Sequence, residues 1–186
     1  MKLVLGLTGS NAAGKGEVAA YLTSKKFMVH SLSDVVREEA AARGLPPERE
    51  HLIRIGNELR ERGGAGVLAE RILSRLGGRE IVDSIRNPSE VAVLRRLPQF
   101  VLVGVSASLE VRFRRSLERG RPGDPRTLEE FRQREEQENT RDPNAQRLEA
   151  TFRLADQVLE NDGDLEELHR AVDRLLRRLE EERSGA

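Results

Sequence analysis

Residues 3–17 read LVLGLTGSNAAGKGE, and this stretch decides the fold class of the 186-residue chain. Its first part, residues 3–8, is an apolar run of strand length, which is typical of a central strand covered on both faces. Its second part fits the pattern G-x-x-x-x-G-K, and a helix is predicted from Glu17 to Lys26. A glycine-rich turn between a buried strand and a helix start indicates a phosphate-binding loop.

The loop is predicted to bind a nucleotide, ATP, largely through its backbone. Its glycines let successive N–H groups turn inward and enclose an anion, and the following helix adds the positive end of its dipole. Lys15 can reach the β- and γ-phosphate oxygens. The predicted nucleotide-binding residues of the loop are Gly9, Ser10, Asn11, Ala12, Ala13, Gly14, Lys15, Gly16 and Glu17.

The residues after Lys15 depart from the usual pattern of such loops. A serine or threonine normally follows and ligates Mg²⁺, but this chain has Gly16 and then Glu17. Three alternatives follow: Asp83 holds the metal through water, Glu17 approaches it, or nucleotide binding is weakened. Asp83 ends an apolar strand, which is the place for a carboxylate that holds the waters of Mg²⁺.

Strands and helices alternate along the rest of the chain. Further strands are predicted at residues 27–30, 80–83, 100–105 and 157–160. Helices are predicted at about residues 17–26, 33–43, 48–62, 66–76, 88–97, 109–119, 127–139 and 165–182. This alternation implies right-handed βαβ crossovers, and so an α/β domain with a parallel sheet and helices on both faces. Ligands of such sheets bind beyond the carboxyl ends of the strands.

Polar and basic side chains are predicted to gather at this edge and bind the substrate. Ser33 and Asp34 begin a helix after the second strand, and Arg37 lies three residues after Asp34 on the same helical face. Arg86 follows Asp83 in the loop after the third strand. A guanidinium group at this edge can bind a phosphate through two parallel hydrogen bonds.

A loop with two further arginines, RGRPGDP at residues 119–125, follows the fourth strand and its helix. Arg119 and Arg121 can close over the reacting phosphates, stabilise the charge of phosphoryl transfer and exclude water. The predicted catalytic residues are therefore Lys15, Asp83, Arg119 and Arg121. The charged runs Arg112–Arg115 and Glu135-Glu136 are interpreted as a solvated helical face.

Composition limits the other function classes. The formal net charge is zero and aromatic residues make up 3% of the chain, so neither non-specific nucleic-acid binding nor base stacking is expected. The absence of cysteine excludes disulfides, thiolate metal sites and cysteine nucleophiles. The apolar run at residues 3–8 is too short for a membrane span or a signal segment. A cytoplasmic monomer or homodimer without a membrane partner is expected.

Together these motifs resemble the nucleoside and nucleotide monophosphate kinase group of P-loop proteins, which includes adenylate kinases and dephospho-CoA kinases. The strings DSIRNP at 83–88, RGRPGDP at 119–125 and IGNELR at 55–60 look like those of kinase-like ATPases. Archaeal proteins and N-terminal domains of dCMP-deaminase-related proteins belong to that set. The resemblance covers nearly the whole chain. It implies a three-layer P-loop NTPase fold with one five-stranded parallel sheet in the order 2-3-1-4-5.

The resemblance also implies an acceptor side of the site. Residues 34–76 would form an acceptor-binding subdomain within a single kinase-like domain. Arg37 and Arg86 would hold the acceptor phosphate, while Asn57 and Arg60 would line the acceptor site.

The donor side is implied in the same way. Residues 119–145 would form a small lid that carries Arg119 and Arg121 and lacks the cysteines and histidines of a zinc-bearing lid. Asn161, in the turn at 161–163, would approach the adenine of the donor.

The leading interpretation is an ATP- and Mg²⁺-dependent kinase whose partners are small nucleotides and whose acceptor is a (deoxy)nucleoside monophosphate. A dephospho-CoA-like acceptor is the alternative within this class. A regulatory ATPase with slow hydrolysis is the second class, favoured by the missing loop hydroxyl and disfavoured by the Arg37 and Arg86 pair. Nucleic-acid binding through the Arg119–Arg121 region is the third and has the least support.

Overall fold

The computed structural model describes residues 2–120, 123–138 and 146–184, except for the side chains of Arg49, Glu50, Glu138 and Arg183. Strands alternate with helices in this part of the chain, as the sequence predicts. The elements are β1 Leu3–Thr8, α1 Lys15–Ser24, β2 Met28–Ser31, α2 Leu32–Ala42, α3 Arg49–Gly63, α4 Val67–Ile72, a 3₁₀ turn at Leu73–Arg75, β3 Arg79–Asp83, α5 Pro88–Leu94, β4 Phe100–Ser106, α6 Leu109–Arg119, α7 Leu128–Glu138, α8 Leu148–Phe152, β5 Gln157–Glu160 and α9 Leu165–Ser184.

The five strands form one parallel sheet in the order β2-β3-β1-β4-β5. β1 lies in the centre, where Leu5 is opposite Ile81 of β3 and Val101 of β4. All six residues of β1 are buried, because helices cover both faces of the sheet. The predicted α/β fold and strand order are confirmed.

Two hydrophobic clusters, one on each face of the sheet, give the fold its three layers. The first cluster packs the sheet against α1 and α9 and includes Leu7, Val18, Leu22, Val172 and Leu176. The second packs it against α2, α3, α4 and α5 and includes Val36, Ile55, Leu68, Val91 and Leu102. The helices of the second face carry most of the predicted acceptor residues.

The carboxyl ends of the strands meet at one edge, because all five strands run in the same direction. Ser31 is opposite Asp83, Thr8 is opposite Gly104, and Ser106 is opposite Glu160. The loops that follow Thr8 and Asp83 therefore start side by side. This edge positions the candidate site.

The helices differ from the prediction in several places. Ser31, not Ser33 or Asp34, is the N-cap of α2, and its Oγ accepts a hydrogen bond from Ser33 N at 3.3 Å. β2 runs directly into α2, so its last extended residue takes the capping position. The predicted 66–76 helix ends at Ile72 and continues as the 3₁₀ turn. The short helix α8 was not predicted.

The longest described helix is α9, with 20 residues. It buries one stripe of leucines and valine against the sheet and carries charged residues elsewhere. None of the described helices combines the length and the apolar character that a bilayer crossing requires.

Candidate functional site

The loop between β1 and α1 contains the left-handed backbone that a phosphate-binding loop requires. φ is 138° at Gly9, 59° at Ala12 and 107° at Gly14. A Cβ atom on Gly9 would lie 2.1 Å from the carbonyl oxygen of Val105, and one on Gly14 would lie 2.1 Å from Asn161 Nδ2. Both positions therefore require glycine for space as well as for conformation.

Asn161 connects the loop to the carboxyl end of β5. Its Nδ2 donates a hydrogen bond to Ala13 O at 2.8 Å, and its backbone N donates to Ser106 O at 2.8 Å. Arg115 Nη1 in turn donates to Asn161 O at 2.9 Å. Asn161 thus lies against the phosphate loop. Its approach to the donor adenine stays a prediction.

Lys15 is half-buried, and its Nζ donates to two carbonyl oxygens of its own loop, Gly9 O at 2.7 Å and Ser10 O at 2.9 Å. The pKa of Lys15 is lowered from 10.5 to about 8, chiefly because the ammonium group is buried and also because of the positive charge of Arg86. The charge of Asp83 opposes this shift. The region around Lys15 is therefore short of negative charge, which the phosphates of a nucleotide would supply.

Asp83 lies at the carboxyl end of β3 with one oxygen unsatisfied. Its Oδ1 is buried and has no hydrogen-bond partner, while Oδ2 accepts from Ser84 Oγ at 3.4 Å. Ser84 has φ 65°, a conformation that few residues other than glycine adopt. A buried carboxylate oxygen without a partner fits a magnesium ion or one of its waters, both of which carboxylates hold in nucleotide sites.

Glu17 is the second candidate for holding Mg²⁺. It is exposed in the first turn of α1, and Gly16 before it faces open space. Asp83 offers the buried, unsatisfied oxygen that Glu17 does not. Of the three alternatives, the geometry favours the arrangement through Asp83.

A cavity of about 360 Å³ lies between α2, α3, α4 and the loop after β3. Its polar lining consists of Ser33, Arg37, Arg60, Ser84, Arg86 and Gln146. Its apolar lining consists of Leu32, Val36, Pro47, Leu52, Ile53, Gly56 and Leu68. The structure therefore brings four of the six predicted substrate-binding residues, Ser33, Arg37, Arg60 and Arg86, to one cavity.

Two arginines of this cavity are held in place by polar side chains. Arg37 Nη1 donates to Asp34 Oδ1 at 2.6 Å and to Ser33 Oγ at 2.9 Å. Asp34 is outside the lining and orients Arg37 from the exposed side. Arg86 Nη1 donates to Gln146 Oε1 at 2.8 Å. The guanidinium groups are thus positioned before any ligand binds.

Asn57 is not brought to the cavity, contrary to its predicted place. It lines a separate shallow depression on α3 with Ile53, Arg54, Glu58 and Glu61. The helical period explains the difference: Leu52, Gly56 and Arg60 are spaced by four residues and share the cavity face. Asn57 is one residue further round the helix.

The lid is described in part. Arg119 Nη1 lies 3.5 Å from Asn11 Oδ1 of the phosphate loop, and its Nη2 donates to Asp124 Oδ2 at 3.0 Å. Arg119 therefore reaches the loop, and its catalytic role stays a prediction. Arg121 lies outside the described residues, as do residues 139–145 of the predicted lid.

The interpretation of Arg112–Arg115 as a solvated face is wrong for two of its members. Arg112 is 8% exposed, forms an ion pair with Glu135 of α7 and lies over the ring of Phe131. Arg115 contacts Asn161, as described above. For Arg112 the cause is the packing of α7 on α6 through the buried Phe131. For Arg115 it is the turn after β5, which lies against α6.

Three residues of the site were missed by the sequence reasoning. Glu90 is fully buried beside Arg60, and its position three residues after Asn87 is a recognisable capping-box signal. Ser84 and Gln146 line the cavity. No sequence pattern around either residue indicates this position. Gln146 is 60 residues from Arg86 in sequence and meets it only because the chain folds back to the cavity.

Comparison with known proteins places the chain among archaeal relatives. A UPF0200 protein of Hyperthermus butylicus is 40% identical over 182 residues, which cover 96% of this chain and 95% of the relative. The chain belongs to the UPF0200 family. No model in the scan of protein families matches this UPF0200 protein.

Solved structures place the UPF0200 chain in a kinase-like P-loop fold. TT1252 from Thermus thermophilus is 28% identical, covers 96% of this chain and 98% of its own, and has a TM-score of 0.60. Shikimate kinase from Acinetobacter baumannii, solved with shikimate, is 13% identical and has a TM-score of 0.61 over 98% of this chain and 95% of its own. The resemblance to P-loop kinases is confirmed at the level of the fold. The relation to dCMP-deaminase proteins stays a prediction.

Proposed function

We propose that this UPF0200 protein is an ATP-dependent phosphotransferase whose acceptor is a small phosphorylated molecule, a nucleoside monophosphate. One observation carries the proposal. Arg37, Arg60 and Arg86 line a cavity at the loop after β3, and that loop starts beside the phosphate loop, where Thr8 Oγ1 donates to Ile85 O at 3.1 Å. The charge of Arg86 also contributes to the lowered pKa of Lys15. A donor on the loop and an acceptor in the cavity would therefore meet in one field of positive charge.

The reaction needs positioning and charge neutralisation more than a strong base. An acceptor phosphate is already ionised near neutral pH, so its oxygen can attack the γ-phosphorus directly. The bond from the γ-phosphorus to the bridging oxygen breaks as the new bond forms, and ADP leaves with the electron pair. Arg86 and Arg37 would hold the acceptor, while Lys15 and Arg119 would stabilise the charge that develops on the transferred group.

Asp83 would hold Mg²⁺, directly or through water, with its buried Oδ1. The ion supplies charge neutralisation at the β- and γ-phosphates when it is bound. Ser84 donates to the other oxygen of the carboxylate and so keeps its orientation fixed.

The direct test is ATP turnover with a panel of acceptors. ADP release and acceptor phosphorylation would be followed with nucleoside monophosphates of each base and with dephospho-CoA. We expect at least one monophosphate to stimulate ADP release, and the Arg37→Ala variant to raise the acceptor KM with little change in the KM for ATP. Acceptor-independent ADP release across the whole panel would contradict the proposal.

A regulatory ATPase is the second candidate, because the chain lacks a hydroxyl at Gly16 and Glu17. Such a protein would hydrolyse ATP slowly and would bind a partner in a nucleotide-dependent manner. The arginines of the cavity distinguish the two: a regulator has no need of Arg37 and Arg86, so their alanine variants would retain full hydrolysis.

A further inference from the structure

Arg60 forms the inner wall of the acceptor cavity, and its donors are incompletely used. It is 6% exposed, and its Nη2 donates to Glu90 Oε1 at 3.1 Å. Its Nε is buried and has no hydrogen-bond partner. Nε is closed off from the cavity, so a ligand oxygen would accept from the N–H groups at the edge of the guanidinium that lines the cavity.

Glu90 determines what kind of acceptor group can lie beside Arg60. It is fully buried, and its Oε2 accepts from the backbone N–H groups of Arg86 at 2.8 Å and Asn87 at 3.0 Å. Three donors therefore converge on this carboxylate, whose charge offsets that of Arg60. A second anion beside Arg60 would be placed close to the buried Glu90 charge. A neutral hydrogen-bond acceptor has no such repulsion.

Space and apolar walls are available for a flat ring in the same place. Gly56 lies one helical turn before Arg60, and a Cβ atom on it would lie 3.3 Å from Arg60 Nη1. Glycine inside a helix costs about 1 kcal/mol relative to alanine, so its use here keeps room around the guanidinium. The neighbouring walls are aliphatic, formed by Leu32, Val36, Leu52 and Leu68.

The chemistry of the guanidinium group then selects the ring. Arginine has five N–H donors and no acceptor. A keto oxygen of guanine, hypoxanthine, uracil or thymine can accept from it, whereas the amino group of adenine or cytosine presents a donor to a donor. We propose that Arg60 is a specificity-determining residue that selects nucleoside monophosphates with a keto base over those with an amino base. This inference rests on the proposed function in one respect, that the acceptor is a nucleoside monophosphate.

The test uses ligand pairs that differ at the decisive group. Inosine and adenosine monophosphates differ at position 6 of the purine, and uridine and cytidine monophosphates differ at position 4 of the pyrimidine. Isothermal titration calorimetry would compare the members of each pair on the full-length protein. We expect the keto member to bind about tenfold or more tightly in at least one pair. Equal affinities within both pairs would overturn the inference.

Two variants assign the preference to Arg60. Arg60→Lys keeps a positive charge beside Glu90 but loses the planar set of donors, and we expect it to lose most of the selectivity. Gly56→Ala favours the helix while displacing Arg60 Nη1, so it tests the same contact if the lysine variant folds poorly. Glu61→Gln, in the separate depression on α3, is the matched control and should retain the selectivity. An equal loss for both members of a pair would assign Arg60 to the phosphate or to the fold, and would overturn the proposal.

Binding and turnover separate this inference from the proposed function. Keto-selective binding without acceptor-stimulated ADP release would reject the phosphotransferase and retain the role of Arg60. Phosphoryl transfer without base discrimination would retain the phosphotransferase and reject the role of Arg60. If none of the four monophosphates binds and no acceptor of the full panel stimulates ADP release, both are rejected.

Discussion

At the scale of single residues, the phosphate loop holds the ammonium group of Lys15 where burial disfavours its positive charge. Lys15 donates to the carbonyl oxygens of Gly9 and Ser10, and its surroundings lower its pKa to about 8. Phosphate oxygens would replace those carbonyls as partners and would favour the charged form. The binding of ATP and the protonation of Lys15 are therefore expected to be coupled.

The first prediction follows from this coupling. Because ATP raises the pKa of Lys15, its contribution to affinity is complete below the pKa of the free protein, about 8, and is lost as pH rises through the higher pKa of the complex. ATP affinity should therefore fall above pH 8, and binding there should take up a proton. Calorimetry in buffers of different ionisation enthalpy measures that uptake. Lys15→Ala should bind ATP far more weakly than the wild type below pH 8, approach it at high pH, and lose the uptake.

The second prediction concerns the metal. Asp83→Asn removes the charge of a carboxylate that has a buried, unsatisfied oxygen at the end of β3. We expect a large increase in the Mg²⁺ concentration required for half-maximal activity, measured by titration at saturating ATP. Glu17→Gln is the comparison: an equal increase in that variant would transfer the metal role to Glu17.

The residues of the site could be predicted from sequence where a motif or a strand end placed them. Gly9, Lys15 and Asp83 lie in such places. Asn57 was misplaced because the loop boundary of α3 did not fix which face of the helix meets the sheet. Arg112 was misinterpreted because its partner, Glu135, is 23 residues away on a helix whose packing no local pattern reveals.

At the scale of elements, one carboxylate joins α3, α5 and the loop between β3 and α5. Glu90 caps α5 and also pairs with Arg60 of α3. Burial raises the pKa of Glu90, while the Arg60 guanidinium and the two backbone N–H groups act in the opposite direction. The position of Arg60 in the cavity wall therefore depends in part on this buried side chain.

The third prediction tests this junction. Glu90→Ala leaves Arg60 buried without its partner and removes one half of the capping box of α5, while Asn87 remains as the N-cap. We expect a loss of about 3–5 kcal/mol in the free energy of unfolding. Denaturant titration measures it. The double variant Arg60→Met, Glu90→Met removes both charges and should recover a substantial part of the loss. A double variant as unstable as the single one would show that the cap and the packing dominate.

Helices and strands could be predicted where their hydrophobic pattern is extended or where turn and capping residues mark their ends. α6 and β5 were predicted at their observed residues because each has a distinct boundary. α8 has five residues and follows a stretch without a hydrophobic period, so no helical pattern could form.

At the scale of the whole molecule, the site is assembled from both faces of the sheet. The phosphate loop leads into α1 on one face, and the acceptor cavity is formed by helices of the other. A ligand at the sheet edge therefore contacts both layers. It should stabilise the entire fold and not one local segment.

The fourth prediction tests whether a ligand stabilises the whole fold. ATP with Mg²⁺ at about 100 times its Kd should add about 2.7 kcal/mol to the free energy of unfolding. For a domain of this size the melting temperature should rise by about 5–11 °C, as differential scanning calorimetry measures. Adenosine without phosphates should give a much smaller rise, as should ATP with the Lys15→Ala variant. A comparable rise in either control would place the stabilising contact outside the loop.

The contacts of Gly9 with Val105 and of Ala13 with Asn161 have a consequence for synthesis of the protein. The whole loop motif lies within the first 17 residues, yet the atoms that shape it arrive with β4 and β5. A chain growing on the ribosome therefore carries the motif long before it can use it. Ribosome-bound chains arrested before residue 161 emerges should fail to retain ATP, while longer ones should retain it, so that nucleotide capture would report completion of the sheet.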